Sequence, residues 1–153
     1  STTFGAVLDM VTDRASTASL LTLLASLNRA VAPVMQLAGA IDLASHYAQM
    51  YASVAVGSQS HKAGKALASA PRLLQIYYGN KSVLFALCAG EQLFLLSLLF
   101  SFSDYPVLIS GIDITTWLMR ISFPLFMLKQ LMNVLQMLNA SRILATLDSA
   151  KSK

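Results

Sequence analysis

An all-α, polytopic transmembrane helix bundle is expected of this chain on three grounds. Of its 153 residues, 56% are hydrophobic and only 12% charged, against about 25% charged in an ordinary soluble domain. Mean hydropathy is +0.61. The apolar residues also gather into four stretches, each long enough at roughly 20 residues to cross about 30 Å of hydrocarbon.

The first span is expected over Phe4–Leu27. A tight Asn28-Arg29-Ala30 turn joins it to the second, Val31–Val56, whose Pro33 lies in the opening turn, where a missing N–H costs nothing. The third, Val83–Phe102, ends at the Ser103-Asp104-Tyr105-Pro106 cluster. The fourth, Ile114–Leu138, contains Pro124 and is expected to kink there. Beyond it, Ala140–Ser149 is expected to continue as an interfacial helix, with Arg142 and Lys151 towards anionic lipid.

Charges outside the spans set an orientation. The Ser58–Ser82 loop carries Lys62, Lys65, Arg72 and Lys81 with no acid, and the tail adds Arg142, Lys151 and Lys153 against Asp148. The positive-inside rule makes these segments cytoplasmic, while the loop holding Asp104 and Asp113 faces the other side. Arg29 is the lone dissenter. The +4 net charge is accounted for by these loops and calls for no nucleic acid.

Within the first span, Gly5, Asp9 and Asp13 form a G-x-x-x-D-x-x-x-D run. Residues four apart on an α-helix share a face, with Cβ atoms about 6 Å apart, so the two carboxylates repel unless something neutralises them. Acids inside a membrane-spanning helix cost about 2.5–3.5 kcal/mol each even on a lenient scale. A divalent cation answers both demands, since Mg²⁺ is commonly held by one or two carboxylates and substrate phosphates. At about 1.5 Å per residue the acids lie roughly 6–13 Å below the cytoplasmic face, where a water-soluble substrate can meet a lipid headgroup.

Other intramembrane polar residues are functional candidates by default. Asp42 and His46, again four apart, admit two readings: groups that contact substrate, or a structural pair that bonds internally or with Lys129 across a helix interface. Glu91 and Arg120 are solitary in the sequence and read as structural. Gly39, Ala40, Ala44, Ala48 and the Ser16, Thr17, Ser19, Thr22 face read as helix-packing surface. A single cysteine, Cys88, excludes a disulfide framework or a cysteine-based zinc site. Two histidines are too few for a histidine-only metal centre, and no HExxH, P-loop or GxGxxG motif is present.

The G-x-x-x-D-x-x-x-D run resembles the second half of the CDP-alcohol phosphotransferase signature, whose full pattern is D-x-x-D-G-x-x-A-R, about eight residues, then G-x-x-x-D-x-x-x-D. The segments Asp42-Leu43-Ala44-Ser45-His46-Tyr47, Gly57-Ser58-Gln59-Ser60-His61-Lys62 and Ile76-Tyr77-Tyr78 look like the branch of that family whose acceptor is myo-inositol. Only four residues precede Gly5, so the first half of the pattern is absent, and the family's six-helix plan implies two further N-terminal helices. Residues 1–153 are therefore expected to be the C-terminal part of one integral-membrane domain, inactive when isolated.

The resemblance implies transfer of a phosphatidyl group from CDP-diacylglycerol to an alcohol, with release of CMP and with Mg²⁺ or Mn²⁺ in a two-metal site. By match to the pattern, Asp13 would be the catalytic base and a metal ligand, Asp9 a metal ligand, and Gly5 would allow close approach of the nucleotide. Asp42 and His46 could bind the inositol hydroxyls; His61 and Lys62 could contact phosphate, or simply belong to a solvated basic loop. The branch also implies an endoplasmic-reticulum membrane with the site facing the cytoplasm, and leaves room for a homodimer. Two competing expectations stay open: a family member with another acceptor, such as glycerol phosphate, serine or choline, and a cation- or proton-coupled transporter with Asp9, Asp13, Asp42 and Glu91 along its path.

Overall fold

A computed structural model describes residues 2–57, 70–103, 108–109 and 112–151. Its elements are α1 (Thr3–Leu27), α2 (Ala32–Ala55), α3 (Arg72–Gly79), α4 (Lys81–Ser101), a minimal antiparallel pair β1 (Leu108–Ile109) and β2 (Ile112–Asp113), and α5 (Ile114–Lys151). The described fold is all-α apart from that two-residue pairing.

Local chemistry fixes the helix ends. Thr2 caps α1, its hydroxyl accepting from the Gly5 N–H at 3.1 Å. Asn28 ends α1 and turns the chain, its side-chain oxygen accepting from the Ala30 N–H at 2.9 Å, and α2 then opens with Pro33 near its N-terminus. Asn80 serves two helices at once. Its N–H donates to the Ile76 carbonyl at the end of α3, while its side-chain oxygen accepts from the Ser82 N–H at 2.9 Å at the start of α4. Asp113 caps α5, accepting from the Thr116 N–H at 3.1 Å and hydroxyl at 2.5 Å; these bonds hold its carboxyl below the ordinary carboxylate range.

Three expectations are corrected. Two described helices, not four, are both long and apolar enough to cross a membrane: α4, with mean hydropathy 2.1, and α5 over Ile114–Ser149, with mean hydropathy 1.2. The first two have the length, at 25 and 24 residues, but α1 carries Asp9, Asp13, Arg14 and a run of hydroxyls, and α2 carries Gln36, Asp42, Ser45, His46 and Gln49. The C-terminal interfacial segment is not a separate helix, because α5 runs unbroken for 38 residues with Pro124 inside it. The basic loop after α2 contains the short helix α3, whose Leu74 and Tyr77 are buried.

The long helices alternate in direction, so the bundle has two ends. At the end holding the α1–α2 turn, Leu21, Leu24, Met35, Ala38, Phe94, Leu95 and Phe126 form an apolar core, with Phe94 stacked on Phe126 at 4.6 Å. At the other, α3 lays Leu74 and Tyr77 against Leu87 and Met132. Close approach is set by Gly90, where a methyl would meet Leu125 at 2.5 Å; a methyl on Gly39 would make only an ordinary contact with Leu21, at 3.5 Å. Of the hydroxyl face of α1, Thr17 alone is buried; Ser16, Ser19, Thr22 and the α2 residues Ala40 and Ala44 are exposed.

The Gly90 contact yields a stability prediction. Gly90→Ala forces α4 away from α5 and is expected to cost about 1–3 kcal/mol, despite the roughly 1 kcal/mol that alanine gains over glycine in a helix. Thermal unfolding in detergent, followed by helical circular dichroism, should show the loss, and Leu125→Ala in the same chain should recover part of it.

Candidate functional site

Asp9 and Asp13 stand one turn apart on α1, both exposed, and both line a cavity of about 610 Å³ between α1, α2, α3, α4 and α5. Hydroxyl, amide and imidazole groups from His46, Gln49, Ser53, Tyr77 and Gln136 share the wall with the apolar Met10, Met50, Val54 and Leu84. The carboxylate pair thus opens on an amphipathic space.

Arg14, next to Asp13 in sequence, turns the other way. It is 7% exposed, and its two terminal nitrogens pair with Asp13 Oδ2 and Asp42 Oδ1. Asp42, 1% exposed, also accepts from Asn133 Nδ2 at 3.0 Å and lies 3.7 Å from Lys129 Nζ. Lys129 donates to Asn133 Oδ1 at 2.8 Å and lies 3.8 Å from Glu91 Oε2, while Glu91 Oε1 accepts from Gln130 at 2.9 Å. Thr17 and Gln92 extend the layer with a bond of 2.7 Å. Two buried cations and two buried anions therefore balance inside the bundle, as charges withdrawn from water must.

The expected site residues fall in different places. Asp9, Asp13 and His46 line the cavity. His46 Nδ1 donates to the Asp42 carbonyl at 2.8 Å, which fixes the ring and leaves Nε2 as its acceptor when neutral. Asp42 reaches the cavity only through Arg14; its pairing with Lys129 across a helix interface, one of the two readings of the sequence, is present. Gly5 is exposed in the first turn of α1, one turn before Asp9. His61 and Lys62 lie outside the described residues. Glu91, read as solitary, is corrected: it is buried against Lys129 and Gln130, whereas Arg120 is exposed.

Sequence reasoning passed over Arg14, although it directly follows the last signature aspartate. It also passed over Gln49, Asn133 and Gln136, whose local sequence is ordinary and whose positions depend on the packing of α2 against α5. Tyr77 and Tyr78 join the wall from α3. Burial pushes the Tyr78 phenol up to about 12 and raises Tyr77 further, with Cys88 Sγ at 3.8 Å from Tyr77 Oη, so both are neutral hydrogen-bonding groups near neutral pH. The buried side-chain oxygens Gln49 Oε1 and Gln136 Oε1 have no hydrogen-bond partner within the protein, a state that ordinarily costs about 1–3 kcal/mol per group.

Among the described residues, no group of three or more His, Cys, Asp or Glu side chains surrounds a common point. Asp9 and Asp13 nonetheless fit a hard divalent cation in part. Both present carboxylate oxygens to the cavity, and Arg14 engages only one oxygen of Asp13.

The ion layer makes a mutational prediction. Asp42→Leu leaves Arg14 with Asp13 and Lys129 with Glu91 but removes the anion they share, and is expected to cost about 3–5 kcal/mol. Lys129→Met should be similarly damaging alone, but less so combined with Glu91→Gln. Unfolding midpoints of the two single variants and the double variant should give a coupling of about 1 kcal/mol or more; additive losses would mean that the 3.8 Å pair carries no energy.

No family model matches the chain, and no solved structure matches it. Curated relatives do. It is 41% identical over 150 residues to the human CDP-diacylglycerol–inositol 3-phosphatidyltransferase, an alignment that covers 97% of this chain and 69% of that enzyme. It is 39% identical over 148 residues to the Candida albicans enzyme of the same name, covering 97% and 61%, and 42% identical over 146 residues to that of Saccharomyces cerevisiae, covering 95% and 63%. With similarity of this degree along nearly its whole length to enzymes of animals and fungi, the chain belongs to the CDP-diacylglycerol–inositol 3-phosphatidyltransferase family.

Proposed function

We propose that the chain transfers a phosphatidyl group from CDP-diacylglycerol to myo-inositol, forming phosphatidylinositol and CMP, in the cavity headed by Asp9 and Asp13. The observation that carries this reading is the Gly5, Asp9, Asp13 run opening onto an amphipathic cavity, in a chain whose relatives bear that enzyme name. The inositol hydroxyl oxygen attacks the phosphorus that bears diacylglycerol, the bond to the CMP oxygen breaks, and the hydroxyl proton leaves to a carboxylate.

Asp13 is the carboxylate suited to that proton. Arg14 occupies Oδ2 and is itself held by Asp42, so the rotamer of Asp13 is fixed while Oδ1 remains free to accept. Mg²⁺ or Mn²⁺ bound by Asp9 and Asp13, with substrate phosphates and further ligands, would stabilise charge on the diphosphate and on departing CMP. Gly5 leaves room beside the nucleotide, and His46 offers a fixed imidazole to the acceptor. His61 and Lys62 are proposed to meet phosphate, and Asp42 to act on the substrate only through Arg14.

The four long helices are proposed to cross the endoplasmic-reticulum membrane together, with the cavity open to the cytoplasm. Their distribution of side chains supports this: Val7, Leu23, Leu37, Phe85, Ile121 and Leu128 are exposed, whereas Arg14, Asp42, Glu91 and Lys129 are inside. That is the pattern of a bundle solvated by lipid, in which ionisable groups face one another. In such an arrangement, α1 and α2 cross in company, with Arg14, Thr17, Asp42 and Ser45 covered by neighbouring helices.

Membranes containing the full-length protein, given CDP-diacylglycerol, labelled myo-inositol and Mg²⁺ or Mn²⁺, should form labelled lipid. Asp13→Asn at matched expression should lower the rate by about 10²–10⁴-fold, Asp9→Asn should raise the metal concentration required, and chelation should abolish activity until metal is restored. CMP release with another alcohol but not inositol would keep the reaction class and reject the acceptor. Unchanged turnover in Asp13→Asn would reject its role.

A further inference from the structure

The cavity has a second pole that the reaction at Asp9 and Asp13 leaves without a task. Asn133 on α5 bonds Asp42 on α2, and the two helices run in the same sense from that contact. A rise of about 1.5 Å per residue then sets Gln136 level with His46, and Gln49 about one turn further on. Gln136 is 2% exposed, yet it lines the cavity, and its side-chain oxygen has no partner; the buried side-chain oxygen of Gln49 is in the same condition. Ser53 and Tyr77 complete this part of the wall. It contains no formal charge.

An amide oxygen can only accept a hydrogen bond, so a ligand that satisfies two of them must donate. Phosphate and carboxylate anions bring acceptors. A metal ion has better ligands in Asp9 and Asp13. A neutral molecule bearing several hydroxyls fits: it donates to the two amide oxygens and can bond with the phenol of Tyr77 and the hydroxyl of Ser53 through its other groups. We infer that Gln136, assisted by Gln49, forms a polyol subsite that reads hydroxyls of the acceptor away from the reacting one and so sets acceptor specificity. The assignment rests on the reaction proposed above for its setting, but binding at this subsite does not require turnover. A pocket built to bond a hydroxyl discriminates strongly against an analogue that lacks it, because its buried polar groups are then stranded.

Equilibrium dialysis of labelled myo-inositol with the purified full-length protein in detergent tests the subsite independently of catalysis. Saturable binding is expected in the wild type. Gln136→Met, close in volume but without the acceptor, should weaken it about tenfold or more, as should Gln49→Met to a lesser degree. Gln136→Glu, which retains an acceptor, should remain within a few-fold of wild type. In the lipid-forming assay, Gln136→Met should raise KM for inositol by a similar factor while KM for CDP-diacylglycerol and kcat stay within about threefold, and inositols lacking one hydroxyl should lose less in this variant than in wild type. Helix content and unfolding midpoint identify a variant that has merely failed to fold, in which case Gln49→Met carries the test. Binding that is lost in Gln136→Met although the wild type makes no inositol lipid would sustain the subsite and sink the proposed reaction. Absent wild-type binding, unchanged affinity in folded Gln136→Met and Gln49→Met, or an equal fall for both substrates would overturn the assignment.

Discussion

The carboxylate of Asp42 is the point on which the bundle depends. It is carried by α2, receives the guanidinium of Arg14 from α1 and the amide of Asn133 from α5, and has the ammonium of Lys129 nearby. Lys129 in turn leans on Glu91 of α4. Every long helix thus contributes a charged group to one layer, and none of those groups is tolerable alone in an apolar interior. Hydrophobic contact gives little preference among partners when the surroundings are themselves apolar, so polar bonds and close small-residue contacts such as Gly90 on Leu125 must choose the register.

This layer also divides the bundle by task. On one side, Phe94, Phe126, Leu24 and Leu95 fill space without polar atoms. On the other, the helices part to leave the cavity, and α3 covers part of it. Arg14 belongs to both regions, since one end of its guanidinium is spent on the buried Asp42 and the other on Asp13 at the cavity wall. The rigidity of the interior is in this way handed to the carboxylate proposed to take the proton. A side chain placed for chemistry needs such support, because small misplacements are expensive in rate.

Much of this was legible in the residues. The four long helices begin and end within a few residues of their expected bounds, except that α5 continues past Leu138, because the run of apolar and helix-forming residues never breaks. The Asn28 turn and Pro33 behaved as their local chemistry requires, and the face shared by Asp9 and Asp13 follows from helical periodicity alone. What could not be read was partnership. Glu91 looked solitary because Lys129 and Gln130 are almost forty positions away; Gln136 looked unremarkable because only packing against α2 brings it to a cavity. The count of apolar spans was overestimated because length was weighed above polarity: α1 and α2 are long enough to cross, but Asp9, Asp13 and Arg14 in the one and Asp42, Ser45 and His46 in the other lower their hydropathy. Arg14 is the exception, a residue that stood beside the motif and could have been weighed with it.

The short turn at Asn28 has a meaning for biogenesis. A nascent α1 presents Asp9, Asp13 and Arg14, and a nascent α2 presents Asp42, so each is a poor candidate for entering lipid as a single segment. Four residues of connection, Asn28 to Val31, keep the two from separating by more than a helix diameter or so at that end, and bring Arg14 within reach of Asp42. With α1 and α2 crossing the membrane as proposed, the hairpin, rather than the individual helix, is the unit that the insertion machinery would have to accept.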